Sequence, residues 1–344
     1  MTPGRSSLAA SLGLDPRRLD ASLGDRRLVK SIDDGLDRVE DELGRELRFS
    51  NRLADVAGRY LLEAGGKRIR PALALLTAQL GDGVTEDVVR IAAAIEITHL
   101  ASLYHDDVMD EASLRRGVPS AHTVWGNSAA ILTGDLLFAR ASLIIADIGV
   151  EALQLQGTTF ERLVVGQLNE TAGPADGEDA IEHYLRVLAD KTGSLIATAA
   201  EAGVRFSNAD RALIAPLRLY GERVGIAFQL ADDVIDLAAD PAVTGKPSGT
   251  DIRAGVPTMP VLLLSRQAGD DPEAASLLER LHSADDEELA AAIGELRAHP
   301  VTTATRAEAR RWADSAIEAL EPIRTGPVRR ALTEFATRVV ERDA

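Results

Sequence analysis

Apolar residues recur at helical spacing along most of this chain. From Leu28 to about Leu62 they fall at Ile32, Leu36, Val39, Leu43 and Leu47, which predicts an amphipathic helix interrupted at Gly35 and Gly44. Pro71 to Leu80 is apolar nearly all round, as a buried helix should be. Thr85 to about Ala112 holds neither Gly nor Pro and predicts one long helix, with Thr85 as its cap and Glu86 and Asp87 in its first turn. Further long helices are expected over Thr123 to about Ile148, Glu151 to Thr171, Asp179 to Ala202 and Asn208 to Ala239. Pro216, Gly221 and Gly225 should kink or split the last of these. Four shorter helices, bounded at Gly269, Ser283, Pro300 and Gly326, carry the chain to about residue 340. No strand signal stands out. The pattern predicts one all-α domain over residues 28–344, a helical bundle, behind a loose arm over residues 1–27.

Composition supports that picture and narrows the chemistry. Hydrophobic residues make up 45% of the 344 positions and aromatics only 3%, so Leu, Ala, Ile and Val must do the packing. A net charge of −16 argues against nucleic acid or an anionic membrane surface as a partner. An anionic substrate would then need local Arg and Lys clusters or bridging cations. There is no cysteine, which excludes disulfides, thiolate metal sites and cysteine nucleophiles. Met1 to Leu14 lacks a secretory pattern, and no run approaches the ~20 apolar residues of a membrane span, so a cytoplasmic chain is expected.

Two stretches carry candidate chemistry. His105-Asp106-Asp107-Val108-Met109-Asp110 and Gln229-Leu230-Ala231-Asp232-Asp233-Val234-Ile235-Asp236 each place aspartates at i, i+1 and i+4. On a helix, the first and last carboxylates share one face, ~6 Å apart. One such motif is ordinarily a solvated acidic face. Two on apolar helices, with Arg115-Arg116 just after the first, are harder to explain so. Asp106 and Asp110 fall at the C-terminal end of their helix, where the dipole disfavours anions, which suggests compensation by cations. Mg²⁺ prefers hard oxygen ligands and is typically shared between one or two carboxylates and substrate phosphates. Lys67, Arg68 and Arg70 gather at the junction after Gly65-Gly66, where a helix start also offers free N–H groups to an anion. His99 and His105 are six residues apart and share no helical face, so a diphosphate hydrogen bond from His99 is a better reading than zinc. The irregular stretch from Asp240 to Pro260 is of a size common for functional loops.

These motifs, in this order over roughly residues 60–260, closely resemble the trans-isoprenyl diphosphate synthases. The resemblance rests on Gly65-Gly66-Lys67-Arg68-Ile69-Arg70-Pro71, His99, His105-Asp106-Asp107-x-x-Asp110, Arg115-Arg116-Gly117, Lys191-Thr192, Phe228-Gln229-x-x-Asp232-Asp233-x-x-Asp236 and Gly245-Lys246-Pro247-x-Gly249-x-Asp251. It implies an all-helical isoprenoid-synthase bundle around a central cavity. It also implies a homodimer with no membrane span, using Mg²⁺ to condense isopentenyl diphosphate with an allylic diphosphate. By the resemblance, Asp106 and Asp110 hold two Mg²⁺ on the allylic diphosphate and Asp232 a third, with Asp107, Asp233 and Asp236 in support. Arg115, Lys191 and Lys246 would grip that diphosphate. Lys67, Arg70, His99 and Arg116 would hold isopentenyl diphosphate, and Thr192 and Gln229 would face the developing cation. One departure is Val256, where the family often has Lys; Lys246 and Arg253 are the neighbouring cations that would compensate.

Product length should be written one turn before the first motif. The family's short-chain members carry a bulky aromatic there, whereas this chain has Ala101 and Ser102, with Ile97 and Thr98 a turn deeper. The expectation is a long all-trans product, about heptaprenyl to decaprenyl, directed to membranes. Phe138 and Phe160 are candidate floors of the tail pocket. A geranylgeranyl or farnesyl diphosphate synthase is the alternative. A class I terpene cyclase fits less well, since it normally lacks both the second aspartate motif and Gly-Gly-Lys-x-x-Arg.

Overall fold

A computed structural model of the chain describes residues 7, 11–12, 14, 23–238, 248–283 and 285–342. Most of the arm expected over residues 1–27 and the candidate ligand Lys246 lie outside the described residues. The architecture is all-α, as the apolar spacing predicts. The chain forms two compact units: Met1–Glu161 with Leu195–Gly221 and Pro322–Leu332, and Arg162–Ser194 with Glu222–Glu321 and Thr333–Ala344.

The first unit contains α1 (Leu23–Glu46), α2 (Arg52–Glu63), α3 (Ile69–Ala78), α4 (Glu86–Met109), α5 (Ala121–Trp125), α6 (Asn127–Ile148) and the start of α7 (Val150–Ala172). It also holds nearly all of α9 (Ser194–Arg205). Helix α4 is its axis and packs on α1, α3 and above all α6. Apolar and small residues from Val88 to Tyr104 are buried on every side of it. Its start is fixed as the sequence predicts, the Thr85 hydroxyl accepting from the Val88 N–H at 3.2 Å. The stripe on α1 is buried too: Ile32, Leu36, Val39, Leu43 and Leu47 are each at most 1% exposed, worth ~1.5–3 kcal/mol apiece.

The second unit takes the end of α7, then α8 (Ala180–Leu188), a π-helical turn (Ala189–Gly193), most of α10 (Ile214–Ala238), α11 (Thr250–Arg253), α12 (Met259–Gln267), α13 (Pro272–Arg280), α14 (Asp286–Ala298) and α15 (Pro300–Glu318). Helix α16 (Pro327–Val340) supplies its final segment. Leu237, Leu264, Leu277, Ile293 and Leu296 lie in its core.

Several boundaries differ from expectation for identifiable reasons. The helix expected over Thr123 to Ile148 is two helices, broken at Gly126 with φ 83°. The helix expected over Asp179 to Ala202 is split by the π turn. Helix α10 runs unbroken instead of splitting at Gly221, because that glycine serves close packing: a Cβ there would lie 2.6 Å from the Ala197 Cα. Five helices, not four, follow Val256 among the described residues. A two-strand hairpin, β1 (Leu114–Arg115) with β2 (Val118–Pro119), appears where the sequence carries no strand signal.

Among the described residues, α6 alone is long and apolar enough, by length and composition, to cross a membrane, with a mean hydropathy of 1.7 over an 18-residue window. Its inner face, including Thr133, Leu137, Ala141 and Ile144, is buried in its own unit. Its outer face exposes Ile131, Leu132 and Leu143, and charges at Asp135 and Arg140 interrupt the run.

Candidate active site

The first unit concentrates positive charge between the Gly-Gly turn and the hairpin. Arg68 caps α3 with a left-handed backbone, φ 52°, and its buried guanidinium donates to Glu40 at 2.6 Å and to Glu96 at 3.3 Å. At the hairpin tip, Arg116 (φ 53°) and Gly117 (φ 79°) form a two-residue turn with positive φ at both positions, as a type I′ connection requires. Positive φ at two arginines is backbone strain held in place by side-chain contacts. The Arg116 guanidinium donates to the Leu61 carbonyl at 2.8 Å and to the Gly65 carbonyl. Tyr60 fixes the other end of the hairpin, its hydroxyl donating to the Pro119 carbonyl at 2.8 Å. Gly66 must be glycine: a Cβ would stand 2.6 Å from Arg68 Nη1 and 3.1 Å from the Arg116 guanidinium, and φ is 147°.

Arg70 and His99 join this cluster. Burial pulls the Arg70 guanidinium below its usual value, with Glu96 opposing and Arg116 adding to the effect. Burial, then Arg70, Arg116, Arg115 and Arg68, hold the His99 imidazole well below its ordinary value, so the ring is neutral near pH 7. Glu96, 2% exposed, supplies buried countercharge. The Arg70 Nε and Glu96 Oε2 atoms are buried without hydrogen-bond partners, and an anionic ligand would satisfy the Arg70 donor. Four of the predicted residues, Arg70, His99, Arg115 and Arg116, are therefore brought together, while Lys67 is exposed.

The first aspartate motif ends α4 as the sequence predicts. Asp106 is half-buried, and Asp110 is the exposed C-cap residue, its N–H bonded to the Asp106 carbonyl at 2.8 Å. Asp107 is wholly buried and accepts from Arg115 through Nε at 2.7 Å and Nη2 at 2.6 Å. His105 turns toward α6, its Nε2 lying 3.0 Å from the Ile131 carbonyl and 3.4 Å from Asp135. Upstream, Ala101 and Ser102 are buried, and a small cleft lies a turn deeper, lined by Thr98, Ile95 and Ile91. Phe138 and Phe160 stack on each other at 4.4 Å.

The second unit carries the other motif. The π turn presents Lys191 and Thr192, and such turns are frequent at functional sites. Arg162 braces it, donating to Asp190 at 2.9 Å and Glu222 at 2.8 Å. Lys191 Nζ lies 2.5 Å from Glu170, and the Thr192 hydroxyl 3.5 Å from the Gln229 amide oxygen. On α10, Asp233 is buried and accepts from the Tyr184 hydroxyl at 2.8 Å and the Met259 N–H at 3.0 Å. Burial pushes its carboxyl up to about 7 against those two hydrogen bonds. Asp236 accepts from the Thr250 and Asp251 N–H groups at 3.1 and 3.2 Å, capping α11. Asp232 accepts from Arg342 at 2.9 Å, and that guanidinium stacks over Phe228 at 4.1 Å. Arg253, a neighbouring cation of Val256, lies 3.3 Å from Asp286 and donates to the Ser248 carbonyl at 3.2 Å.

Sequence reasoning gave no role to Glu96, Tyr184, Arg162 or Arg342. Glu96 could have been noticed as a carboxylate within the apolar run from Ile91 to Ile97. Arg342 is 110 residues from its partner Asp232, and nothing local marks it. Among the described residues, no three His, Asp or Glu side chains converge as a ready-made metal cage.

An all-helical chain with two such aspartate motifs, a buried arginine cluster and a Lys-Thr turn is a trans-prenyltransferase in class. It belongs to the polyprenyl synthetase family, whose profile matches residues 51–296. A nonaprenyl diphosphate synthase from Mycobacterium tuberculosis is 42% identical over 93% of this chain and 96% of its own. The crystal structure of a Caulobacter crescentus polyprenyl synthase with calcium and isoprenyl diphosphate superposes with a TM-score of 0.85 at 32% identity, covering 93% of this chain and 98% of that one. A geranylgeranyl pyrophosphate synthase from Corynebacterium glutamicum, also with calcium and isoprenyl diphosphate, has a TM-score of 0.82 at 39% identity, over 93% and 99%.

Proposed function

We propose that this enzyme condenses isopentenyl diphosphate with an allylic diphosphate, repeatedly, to an all-trans product of about heptaprenyl to decaprenyl length. The observation that carries the length is the pair of small buried residues Ala101 and Ser102, which put no bulky side chain one turn before the first motif. The nonaprenyl synthase relative agrees. A twenty-carbon product is the second reading, favoured by 39% identity to a geranylgeranyl synthase.

The donor set fits Mg²⁺. Hard carboxylates stand in both motifs, as suits an ion that takes its remaining ligands from phosphates and water. We assign Asp106 and Asp110 to two ions and Asp232 to a third; the calcium in the related crystal structures is the same kind of hard divalent cation. Bound there, Mg²⁺ would draw off the negative charge that builds on the departing diphosphate.

The chain's own groups do the rest. Arg115, oriented by Asp107, Lys191 and Lys246 grip the allylic diphosphate, Arg by its two-pronged fork. Lys67, Arg70, Arg116 and neutral His99 hold isopentenyl diphosphate and point its double bond at the breaking C–O bond. Thr192 and Gln229 offer oxygen dipoles to the developing carbocation. The double bond attacks, a proton leaves to the released diphosphate, and a new allylic end results. No protein nucleophile is needed.

The exposed apolar residues Ile131, Leu132, Leu143, Val150 and Leu153 support a homodimer, since such a patch rarely stays uncovered. A cytoplasmic location goes with this reading. Replacing Ala101 by Phe should shorten the main product to about fifteen to twenty carbons; radio-labelled product chromatography showing the wild-type length would refute the tail path.

A further inference from the structure

We propose that Gly166 and Glu170 on α7 are positioning residues for the allylic diphosphate: together they set how far the π turn stands from that helix and where the Lys191 ammonium points. This rests on the reading that Lys191 grips that diphosphate. Arg162, Gly166 and Glu170 follow one another every four residues and form one stripe of α7, and all lie in the second unit with the turn they face. Arg162 donates to Asp190 through Nε at 2.9 Å and Nη2 at 2.8 Å. Gly166 is buried, and a Cβ there would stand 2.7 Å from the Lys191 backbone nitrogen and 3.0 Å from the Asp190 carbonyl carbon. Glu170 Oε2 lies 2.5 Å from Lys191 Nζ. One face of α7 thus meets the turn at its brace, its backbone and its functional side chain.

On its other side the turn meets α10. A Cβ on Gly193 would lie 3.1 Å from the Glu222 carbonyl oxygen, and Arg162 Nη2 also donates to the Glu222 carboxylate at 2.8 Å. A π turn widens the helix by one residue, and the neighbours that pack on it fix where that residue goes. Glycine inside a helix is disfavoured relative to alanine, and at 166 the close approach of the turn accounts for it. An added methyl would have to push the Lys191 backbone outward, because real Cβ atoms do not approach a backbone atom within 3.0 Å. A misplacement of about 1 Å can cost about a hundredfold in rate. Lysine is a point charge on a long flexible stem, so a partner has to supply its direction. The Glu170 carboxylate supplies it, and an arriving diphosphate finds the ammonium already placed.

The test is steady-state elongation of farnesyl diphosphate with Mg²⁺, in which farnesyl and isopentenyl diphosphate are varied in turn and Tm is measured alongside. It compares the protein with its Gly166→Ala, Glu170→Gln, Lys191→Ala and Gly294→Ala variants. Gly294 is an exposed glycine inside α14 with open space where a Cβ would stand, so its alanine variant controls for helix propensity. Gly166→Ala should raise KM for farnesyl diphosphate about tenfold and lower kcat about thirtyfold. Glu170→Gln should raise that KM about threefold, and in both variants KM for isopentenyl diphosphate should stay within about twofold of wild type. Gly294→Ala should leave all of these constants unchanged. Glu170 is partly exposed, so its variant tests the proposal even if Gly166→Ala does not fold. If Lys191→Ala raises KM for farnesyl diphosphate while Gly166→Ala and Glu170→Gln keep the wild-type value, or raise both KM values alike, the positioning is overturned and the role of Lys191 stands. If Lys191→Ala leaves that KM unchanged, the grip on the diphosphate itself fails, and the positioning with it.

Discussion

The two Asp-Asp-x-x-Asp motifs are alike in sequence and unlike in what their carboxylates do. In both, the middle aspartate is buried and structural: Asp107 grips Arg115, and Asp233 receives Tyr184 and the Met259 amide. The difference lies in the third. Asp110 is an exposed helix terminus, whereas Asp236 is committed to the backbone N–H groups that start α11. The proposed assignment of two ions to Asp106 and Asp110 and one to Asp232 accords with that commitment of Asp236. The same spacing acquires different surroundings from what packs beside it, a hairpin in one case and the start of α11 in the other.

The comparison can be broken where it predicts the largest contrast. Asp106→Ala and Asp232→Ala should each lower kcat by about a thousandfold or more, through lost stabilisation of the leaving diphosphate, while Asp236→Ala should cost about tenfold at saturating Mg²⁺. Equal losses at Asp232 and Asp236, in steady-state assays, would remove the asymmetry. Next come the buried middles. Asp107→Ala orphans the Arg115 guanidinium and should cost about 2 kcal/mol of stability, with a higher KM for the allylic diphosphate. Asp233→Ala leaves a hydroxyl and an N–H unpaired, and should lower Tm with less effect on that KM. The smallest effect is expected from Arg342→Ala. Its guanidinium is a cation already placed on Asp232, so removal should lower the Mg²⁺ concentration for half-maximal rate by about two- to fivefold. An unchanged Mg²⁺ titration would show that Arg342 does not compete with the metal.

Much of the fold and site is legible in the sequence because it is local. The cap at Thr85, the end of α4 at the first motif and the apolar stripe on α1 come from spacing within a few turns. The basic junction at Lys67 to Arg70 is visible for the same reason. The illegible parts depend on contacts far along the chain. Gly221 reads as a helix breaker until Ala197 is seen packed against it. The hairpin escapes because strands of two residues leave no alternation to detect, although Arg116-Gly117 is the kind of pair its turn requires. Composition hides the role of α6, whose apolar residues face both inward and outward.

The most direct test of the account is the product of the purified protein. Incubated with isopentenyl diphosphate, Mg²⁺ and farnesyl or geranylgeranyl diphosphate, it should yield all-trans polyprenyl diphosphates of about thirty-five to fifty carbons by mass. A product that stops at about twenty carbons with isopentenyl diphosphate in excess, or no elongation of either primer, would contradict it.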